Sequence, residues 1–458
     1  MATPRPFKNT LLAIFSLFFY FWGEVTYTWV FLLSVVFNYL AGILIGNAQD
    51  KTRSMLLFFA GAVNLCLLAY FKYANFIVEN LNVLLVRLGH PVMSVEPVHL
   101  PIGISFITFH ALSYLIDIKR GTSTKQKNPM DVLLYLALFP QLIAGPIIRY
   151  NQIAGQIDSR TSSIAGVYCG LRRFGFGLAK KVLIANQLGV IADQIFAARP
   201  ETLSISLAWL GVGAYSLQLY FDFSGYSCMA IGLAMMFGFH FPENFNYPYI
   251  SRSIQEFWRR WHISLSSWFR DYLYIPLGGN RVGPVRTYFN LVLVFFLCGL
   301  WHGASWNFVI WGLFHGCFLV LERAFLARQL ERMWTPLSHG YTILVFMVAW
   351  VFFRANDVPH ALLFLAAMFG FGSDLPTGYN VAYFLTPDIT VVFVIALFLA
   401  APVWPSLDAM IQTKIKHSRA LVAAPLQLLD GVWMMALFGV CLLYLNESSY
   451  NPFIYFRF

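Results

Sequence analysis

The sequence predicts an all-α, polytopic membrane protein, and three observations carry that prediction. Of 458 residues, 59% are hydrophobic, 18% aromatic and only 11% charged, whereas a soluble domain carries about 25% charged residues. Mean hydropathy is +0.64. The apolar residues fall into long runs separated by short basic loops, the pattern of helices that satisfy their own backbone in hydrocarbon. A coarse count gives about eleven passes, within one integral-membrane domain spanning residues 1–458.

Taken in order, Leu11–Trp22 and Thr28–Ile45 form a first hairpin. No A-x-A site follows Leu11–Trp22, so a cleaved leader is not expected. Met55–Tyr70 is the third apolar run, and Ile77–Leu88 is a separate, half-polar amphipathic stretch. Leu100–Ile118 opens with Pro101 and Gly103, which predicts a broken or re-entrant segment. Val132–Ile148 contains Pro140, Gly145 and Pro146 and is predicted to be kinked or broken. Ile164–Ala197 is a long helix carrying Arg172, Arg173, Lys180 and Lys181, and Leu203–Phe239 is apolar around an internal DFSG. The remaining spans are Tyr288–Leu300, Trp306–Leu321, Tyr341–Phe353, Ala361–Phe371, Ile389–Ala401 and Val432–Leu445.

Net charge is +10. The basic residues sit in loops between spans, as positive-inside topology and attraction to anionic lipid require, not on a soluble face that would bind nucleic acid. Arg5 and Lys8, the Lys51–Arg53 loop and the Lys119–Lys127 loop are each separated by two spans, which puts all three on the cytoplasmic side. Cys66, Cys169, Cys228, Cys298, Cys317 and Cys441 lie in apolar segments without CxxC spacing and are expected as small buried hydrophobes, with no metal site.

The chemistry is concentrated between Glu256 and Gly316. Over Ser253–Tyr272, helical spacing puts Trp258, Trp261, Leu265, Trp268 and Tyr272 on one apolar face, with Arg259, His262 and Ser266 beside it. Glu256 and Arg260 are i, i+4 partners. Such a helix either lies at the membrane interface or roofs a cavity in which its arginines face an anionic donor such as a coenzyme A or phosphopantetheine group. GLWHG at Gly299–Gly303 recurs thirteen residues later as GLFHG at Gly312–Gly316. Each repeat has Gly-xxx-Gly spacing, which permits close helix approach. On one continuous helix that interval is about 220° of rotation, so His302 and His315 would not share a face. A membrane histidine is either catalytic or makes an interhelical hydrogen bond worth about 0.6–2 kcal/mol. Asp222 either orients a histidine or pairs with an arginine such as Arg173; Asn307 either orients substrate or satisfies backbone near the glycines. Asp117, Glu322 and Arg354 stand at span ends in structural positions.

These blocks carry a resemblance. LPIGISFITFHALSYLIDIKR, LFPQLIAGPIIRY, LYFDFSGYS, EFWRRWHISLSSWFRDYLYIPLGGNR and GLWHGASWNFVIWGLFHG resemble the membrane-bound O-acyltransferase (MBOAT) family, strongly over residues 100–320. The similarity is greatest to the bacterial branch that O-acetylates alginate, peptidoglycan and cellulose, and the C-terminal NPFIYFRF is similar to that branch's aromatic tail. The resemblance implies a ring of tilted helices around a membrane-crossing tunnel, with a catalytic core at 100–322 flanked by spans at 1–99 and 323–458. It implies His302 as the catalytic residue and His262 as the polar residue of the first block. Two positions depart from the family pattern: Cys228 stands where relatives commonly have an acid, and His110 where many have glutamine.

The implied activity is transfer of an acetyl group from a cytoplasmic thioester for O-acetylation of an exported polysaccharide. A hydroxyl is a weak nucleophile until its proton is removed, and an imidazole is suited to take it near neutral pH. His302 is the expected general base. His262 is expected to position donor or acceptor, or to stabilise developing charge. Arg259, Arg260, Trp258, Trp261, Asn307 and Asp222 are the candidate donor and substrate contacts. No tightly bound cofactor is expected; acetyl-CoA or another acyl thioester is the donor substrate. The implied partner is an extracytoplasmic acetyltransferase, and the implied location the bacterial inner membrane. Three alternatives stand beside this: D-alanyl transfer to teichoic acid by the related branch, a transporter or flippase, and a covalent acyl-serine on Ser305.

Overall fold

The computed structural model describes residues 5–371, 379–403, 410, 413, 420–447 and 450–452. Every regular element among them is a helix. Among the described residues, seven helices are long and apolar enough to cross a membrane: Thr28–Asn47, Asp50–Arg87, Ile164–Ala197, Pro284–His302, Trp306–Arg332, Thr335–Arg354 and Leu428–Glu447. Val358–Met368 and Pro387–Leu399 are shorter apolar helices. Against the coarse expectation of about eleven passes, seven helices thus meet both length and composition. Large apolar side chains such as Trp29, Phe58 and Leu443 are exposed on these helices, which suits a lipid exterior and not water.

The chain divides into two compact units. The first contains residues Met1–Gly170, Leu233–Pro242 and Arg270–Leu273. Its helices are α1 (Arg5–Gly23), α2 (Thr28–Asn47), α3 (Asp50–Arg87), α4 (Ile104–Arg120), α5 (Pro129–Ala137), α6 (Phe139–Leu142) and α7 (Tyr150–Asp158). The expected break between Met55–Tyr70 and Ile77–Leu88 is absent: α3 runs through all 38 residues. No glycine or proline stands between Ala62 and Arg87 to interrupt it. It ends at Gly89, whose φ of +75° lets His90 N–H return to the Leu85 carbonyl at 2.9 Å. Asn38 and Asn64 exchange side-chain hydrogen bonds of 2.9 and 3.0 Å and tie α2 to α3.

Both expected broken segments are broken. Gly103 has φ +73°, and a Cβ there would stand 2.6 Å from the Leu142 carbonyl oxygen, so the chain can enter α4 at this place only with glycine. Around Pro140 the helix stops at Ala137, restarts for one turn as α6 and gives way to irregular chain before α7. Asp117, at the end of α4, accepts hydrogen bonds from Tyr272 Oη at 2.7 Å and Asn151 N at 3.1 Å, in the structural position expected of it. His110 is fully buried beside Tyr135, and neither ring nitrogen has a hydrogen-bond partner among the described residues.

The second unit contains Leu171–Gly232, Glu243–Phe269 and Tyr274–Phe458. The long helix expected over Ile164–Ala197 is continuous: α8 (Ile164–Ala179) passes through a π-helical turn at Lys180–Ala185 into α9 (Asn186–Ala197). It is followed by α10 (Ile205–Met236), α11 (Ile254–Arg260), α12 (Ile263–Phe269), α13 (Pro284–His302), α14 (Trp306–Leu321), α15 (Ala327–Arg332), α16 (Thr335–Arg354), α17 (Val358–Met368), α18 (Val381–Phe384), α19 (Pro387–Leu399) and α20 (Ala420–Glu447). The cysteine expectation holds only in part. All six are free, and Cys298 and Cys441 are buried, but Cys66, Cys169 and Cys317 are exposed on apolar helix faces that would meet lipid.

The two Gly-xxx-Gly repeats do what their spacing predicts, one at the end of the first of the two expected spans and one within the second. The chain leaves helical conformation at Gly303, and α13 and α14 form a hairpin. A Cβ on Gly299 would stand 2.3 Å from the Phe308 carbonyl oxygen, and one on Gly312 2.3 Å from the Phe295 carbonyl oxygen. Gly312→Ala is therefore expected to separate the hairpin and to destabilise the protein by about 1–3 kcal/mol. Thermal unfolding in detergent measures this, and an unchanged melting temperature would contradict the close contact.

Candidate active site

The helix expected over Ser253–Tyr272 is interrupted at His262. Ser253 caps α11, accepting from Glu256 N at 3.0 Å, and the Glu322 carboxylate accepts from the next two free amides, Ile254 N at 2.6 Å and Gln255 N at 2.9 Å. Glu322 is thus structural, as its place at a span end suggested. Seven residues later Trp261 is extended and His262 has φ +43°, an uncommon and strained backbone for a residue with a Cβ. The turn is held from outside the helix. Asn246 N donates to the Arg260 carbonyl and Ile263 N to the Asn244 carbonyl, both at 2.9 Å. Nothing in the local sequence predicts a break; the competing partner is the extended segment around Asn244. Trp258, Trp261, Leu265, Trp268 and Tyr272 are nevertheless all buried, because both short helices turn their apolar side inward.

His262 is 1% exposed. It lies outside the membrane-crossing helices, and burial pushes its imidazole down to about 3, so it is neutral near pH 7. Its ring meets Phe223 of α10 edge-on at 4.6 Å between centroids and Trp301 of α13 at 6.2 Å. His302, the last residue of α13, packs on the same Trp301 at 4.9 Å, on Trp311 at 4.9 Å and on Phe353 at 5.2 Å. Two histidines forty residues apart in sequence therefore share one tryptophan. His315 lies apart from this pair, beyond Trp311, and accepts a hydrogen bond from Trp258 Nε1 at 3.3 Å. The interhelical hydrogen bond that a membrane histidine can make falls to His315.

The other candidate residues separate into groups. Arg260 pairs with Glu256 at 2.8 Å, as the i, i+4 spacing predicts, while Arg259 is exposed and makes no ion pair among the described residues. Asn307 is buried and donates from Nδ2 to the Ala355 carbonyl at 2.8 Å, while its Oδ1 has no hydrogen-bond partner among the described residues. Ser305 Oγ caps α14, accepting from Asn307 N at 3.2 Å. Ser305→Ala is expected to cost about 0.5–2 kcal/mol of helix stability and to leave acyl transfer intact; loss of transfer by a folded variant would revive the acyl-serine alternative.

Asp222 does not pair with Arg173. Its partner is Lys181, at 2.7 Å, while Arg173 pairs with Glu243. The reason is a backbone crossing of α8 and α10: Cβ atoms on Gly177 and Gly225 would stand 2.6 and 2.8 Å from each other's carbonyl oxygens, which sets Lys181, one turn further on, opposite Asp222. Lys181 Nζ also donates to the Pro452 carbonyl, Asn186 bonds Asn451 at 3.2 Å, and Asp193 receives both Tyr450 Oη and Arg354, each at 2.6 Å. The start of the C-terminal tail is thereby laid along α9. Most of the aromatic stretch noted in the sequence, residues 453–458, lies outside the described residues.

Comparison with known proteins supplies the identity of this arrangement. Residues 17–355 match the MBOAT, membrane-bound O-acyltransferase family. The chain belongs to that family. A protein of Azotobacter vinelandii named probable alginate O-acetylase AlgI is 43% identical over 100% of this chain and 96% of its own length. The peptidoglycan O-acetyltransferase of Helicobacter pylori is 38% identical over 80% of this chain and 74% of its own length. The teichoic acid D-alanyltransferase of Bacillus subtilis is 30% identical over 58% of this chain and 70% of its own. The protein is thus a multi-pass membrane acyltransferase, not a transporter. Within this MBOAT protein, sequence reasoning passed over one residue at the site, Asn244. The available signal was a pair of amides, Asn244 and Asn246, among aromatics and prolines in FPENFNYPYI, where a buried polar group needs partners.

Proposed function

We propose that this MBOAT protein moves acetyl from a cytoplasmic acyl thioester, with acetyl-CoA as donor, for O-acetylation of an exported polysaccharide. The observation that carries the proposal is the convergence of His262 and His302 on Trp301 in a buried aromatic setting. Likeness along the full chain to proteins named alginate O-acetylases favours acetyl over D-alanyl transfer. In the proposed reaction, His302 takes the proton of the attacking hydroxyl as its oxygen bonds the thioester carbon. The carbon–sulfur bond then breaks, and the leaving thiolate takes that proton. His302 is the last residue of α13, where the helix's partial negative charge favours the imidazolium formed in between. Exclusion of water by the surrounding rings protects the thioester from hydrolysis. Asn307 Oδ1 and the cations of α11 are the proposed substrate and donor contacts. The protein would reside in the bacterial inner membrane and hand acetyl to an extracytoplasmic acetyltransferase.

The test is the ester-linked acetate on exported polysaccharides of cells lacking and re-expressing the protein. Acetate lost on deletion and regained on re-expression is the expected result. D-alanyl ester lost instead would favour the related branch, and no change in either ester would overturn the proposal.

A further inference from the structure

One side chain organises the whole of the strained turn at His262. Asn244 is 1% exposed. Its Oδ1 receives Ser264 N at 3.2 Å, Ser264 Oγ at 2.9 Å and His262 Nδ1 at 3.1 Å, and its Nδ2 donates to Ser227 Oγ on α10 at 3.1 Å. A backbone N–H can only donate, so the atom facing Ser264 N is an oxygen; the amide orientation is dictated and not chosen. The ring nitrogen facing that oxygen must then be a donor. A neutral imidazole has one N–H, so with the proton on Nδ1 the lone pair is on Nε2.

We infer that Asn244 is a positioning residue for acyl transfer, holding His262 as the Nδ1–H tautomer so that Nε2 accepts a hydrogen bond from a substrate hydroxyl other than the one His302 deprotonates. This rests on the acetyltransferase reading and deepens it. Of the two roles open to His262, it selects acceptor positioning and excludes donation to a developing oxyanion, for which Nε2 has no proton. The proton transfer itself stays with His302; no covalent step is added. The substrate class that fits is a polyol such as a sugar: the attacking hydroxyl gives its proton to His302, and a second hydroxyl donates to His262 Nε2. Among the groups packed round the ring are Phe223 of α10, Trp301 of α13 and Asn244, which also bonds Ser264 at the start of α12.

Two measurements test this, one of them independent of activity. In the full-length protein labelled with 15N-histidine in lipid nanodiscs, the His262 resonances, assigned by difference from His262→Gln, should report a protonated Nδ1 and a bare Nε2. An Nε2–H tautomer overturns the inference even if the protein is an active acetyltransferase. If the tautomer is as inferred and the wild type transfers no acetyl group, the proposed function fails while the geometry stands. In membranes supplied with radiolabelled acetyl-CoA, Asn244→Leu should lower kcat about 10–100-fold. Asn244→Asp keeps an acceptor for Nδ1–H and Ser264, so it should remain active. Its carboxylate favours the imidazolium, which cannot accept, so the acid limb of its pH–rate profile should move up by about one pH unit or more. Were His262 outside the reaction, its protonation would leave that limb unmoved. An Asp variant whose profile superimposes on wild type, or a folded Leu variant with wild-type kcat, overturns the positioning role.

Discussion

Replacing His302 by alanine is expected to lower acetyl transfer by about 10²–10⁴-fold, the usual contribution of a positioned general base. The expectation follows from where the ring is. His302 is 6% exposed, the last residue of α13, and stacked edge-on against Trp311 and Phe353. Alanine leaves a cavity between those rings, which loosens the hairpin and adds a stability loss to the loss of the base. His302→Gln separates the two effects, because glutamine fills much of the space and keeps hydrogen-bonding capacity but cannot take a proton near neutral pH. Both variants should lose transfer while Gln retains a near-wild-type melting temperature in detergent. His315→Gln is the counterpart: it disturbs the hydrogen bond from Trp258 and should lower stability by about 0.6–2 kcal/mol with far less effect on transfer per folded molecule. Wild-type transfer by a folded His302→Gln protein would sink the assignment of the base.

Removing Lys181 is expected to cost more stability than the glycine change at Gly312. Lys181 and Asp222 are 2.7 Å apart, with side chains 9% and 1% exposed. Breaking a buried pair by deleting one partner leaves an uncompensated charge and costs about 3–5 kcal/mol, whereas replacing both by apolar groups of similar size is often neutral. Lys181→Met should therefore reduce folded protein sharply, and Lys181→Met with Asp222→Leu should recover most of it. Size-exclusion profiles and melting temperatures of the single and double variants check this. If the single variant melts like wild type, the pair is not the buried ion pair described here. The double variant also loses the lysine's bond to the Pro452 carbonyl, so incomplete recovery measures what the tail adds.

The local parts of the site were legible in the sequence. The Glu256–Arg260 pair, the Gly-xxx-Gly repeats, the breaks at Gly103 and Pro140, and the inward tryptophans all depend on residues within a few positions of one another, and all stand as their spacing predicts. What misled was assuming that a periodic pattern continues. Ser253–Tyr272 is periodic throughout, yet it breaks at His262 because Asn244 and Asn246, distant in sequence, offer its backbone better partners. His302 and His315 belong to the two successive spans that hydropathy predicts, and only the turn at Gly303 shows that they stand either side of Trp311. Asp222 was offered Arg173, and the glycine crossing gave it Lys181.

The sequence by itself determined the membrane environment, the helical class and the acyltransferase family, and it singled out His262 and His302 as candidates, because hydropathy, helical period and family blocks are written in consecutive residues. The tertiary structure alone decided which partner each buried polar group takes: Asn244 for His262, Lys181 for Asp222, Trp258 for His315. In a buried apolar interior each such group must find a partner within about 3 Å, and which one lies within reach is set by helix crossings that no local pattern encodes.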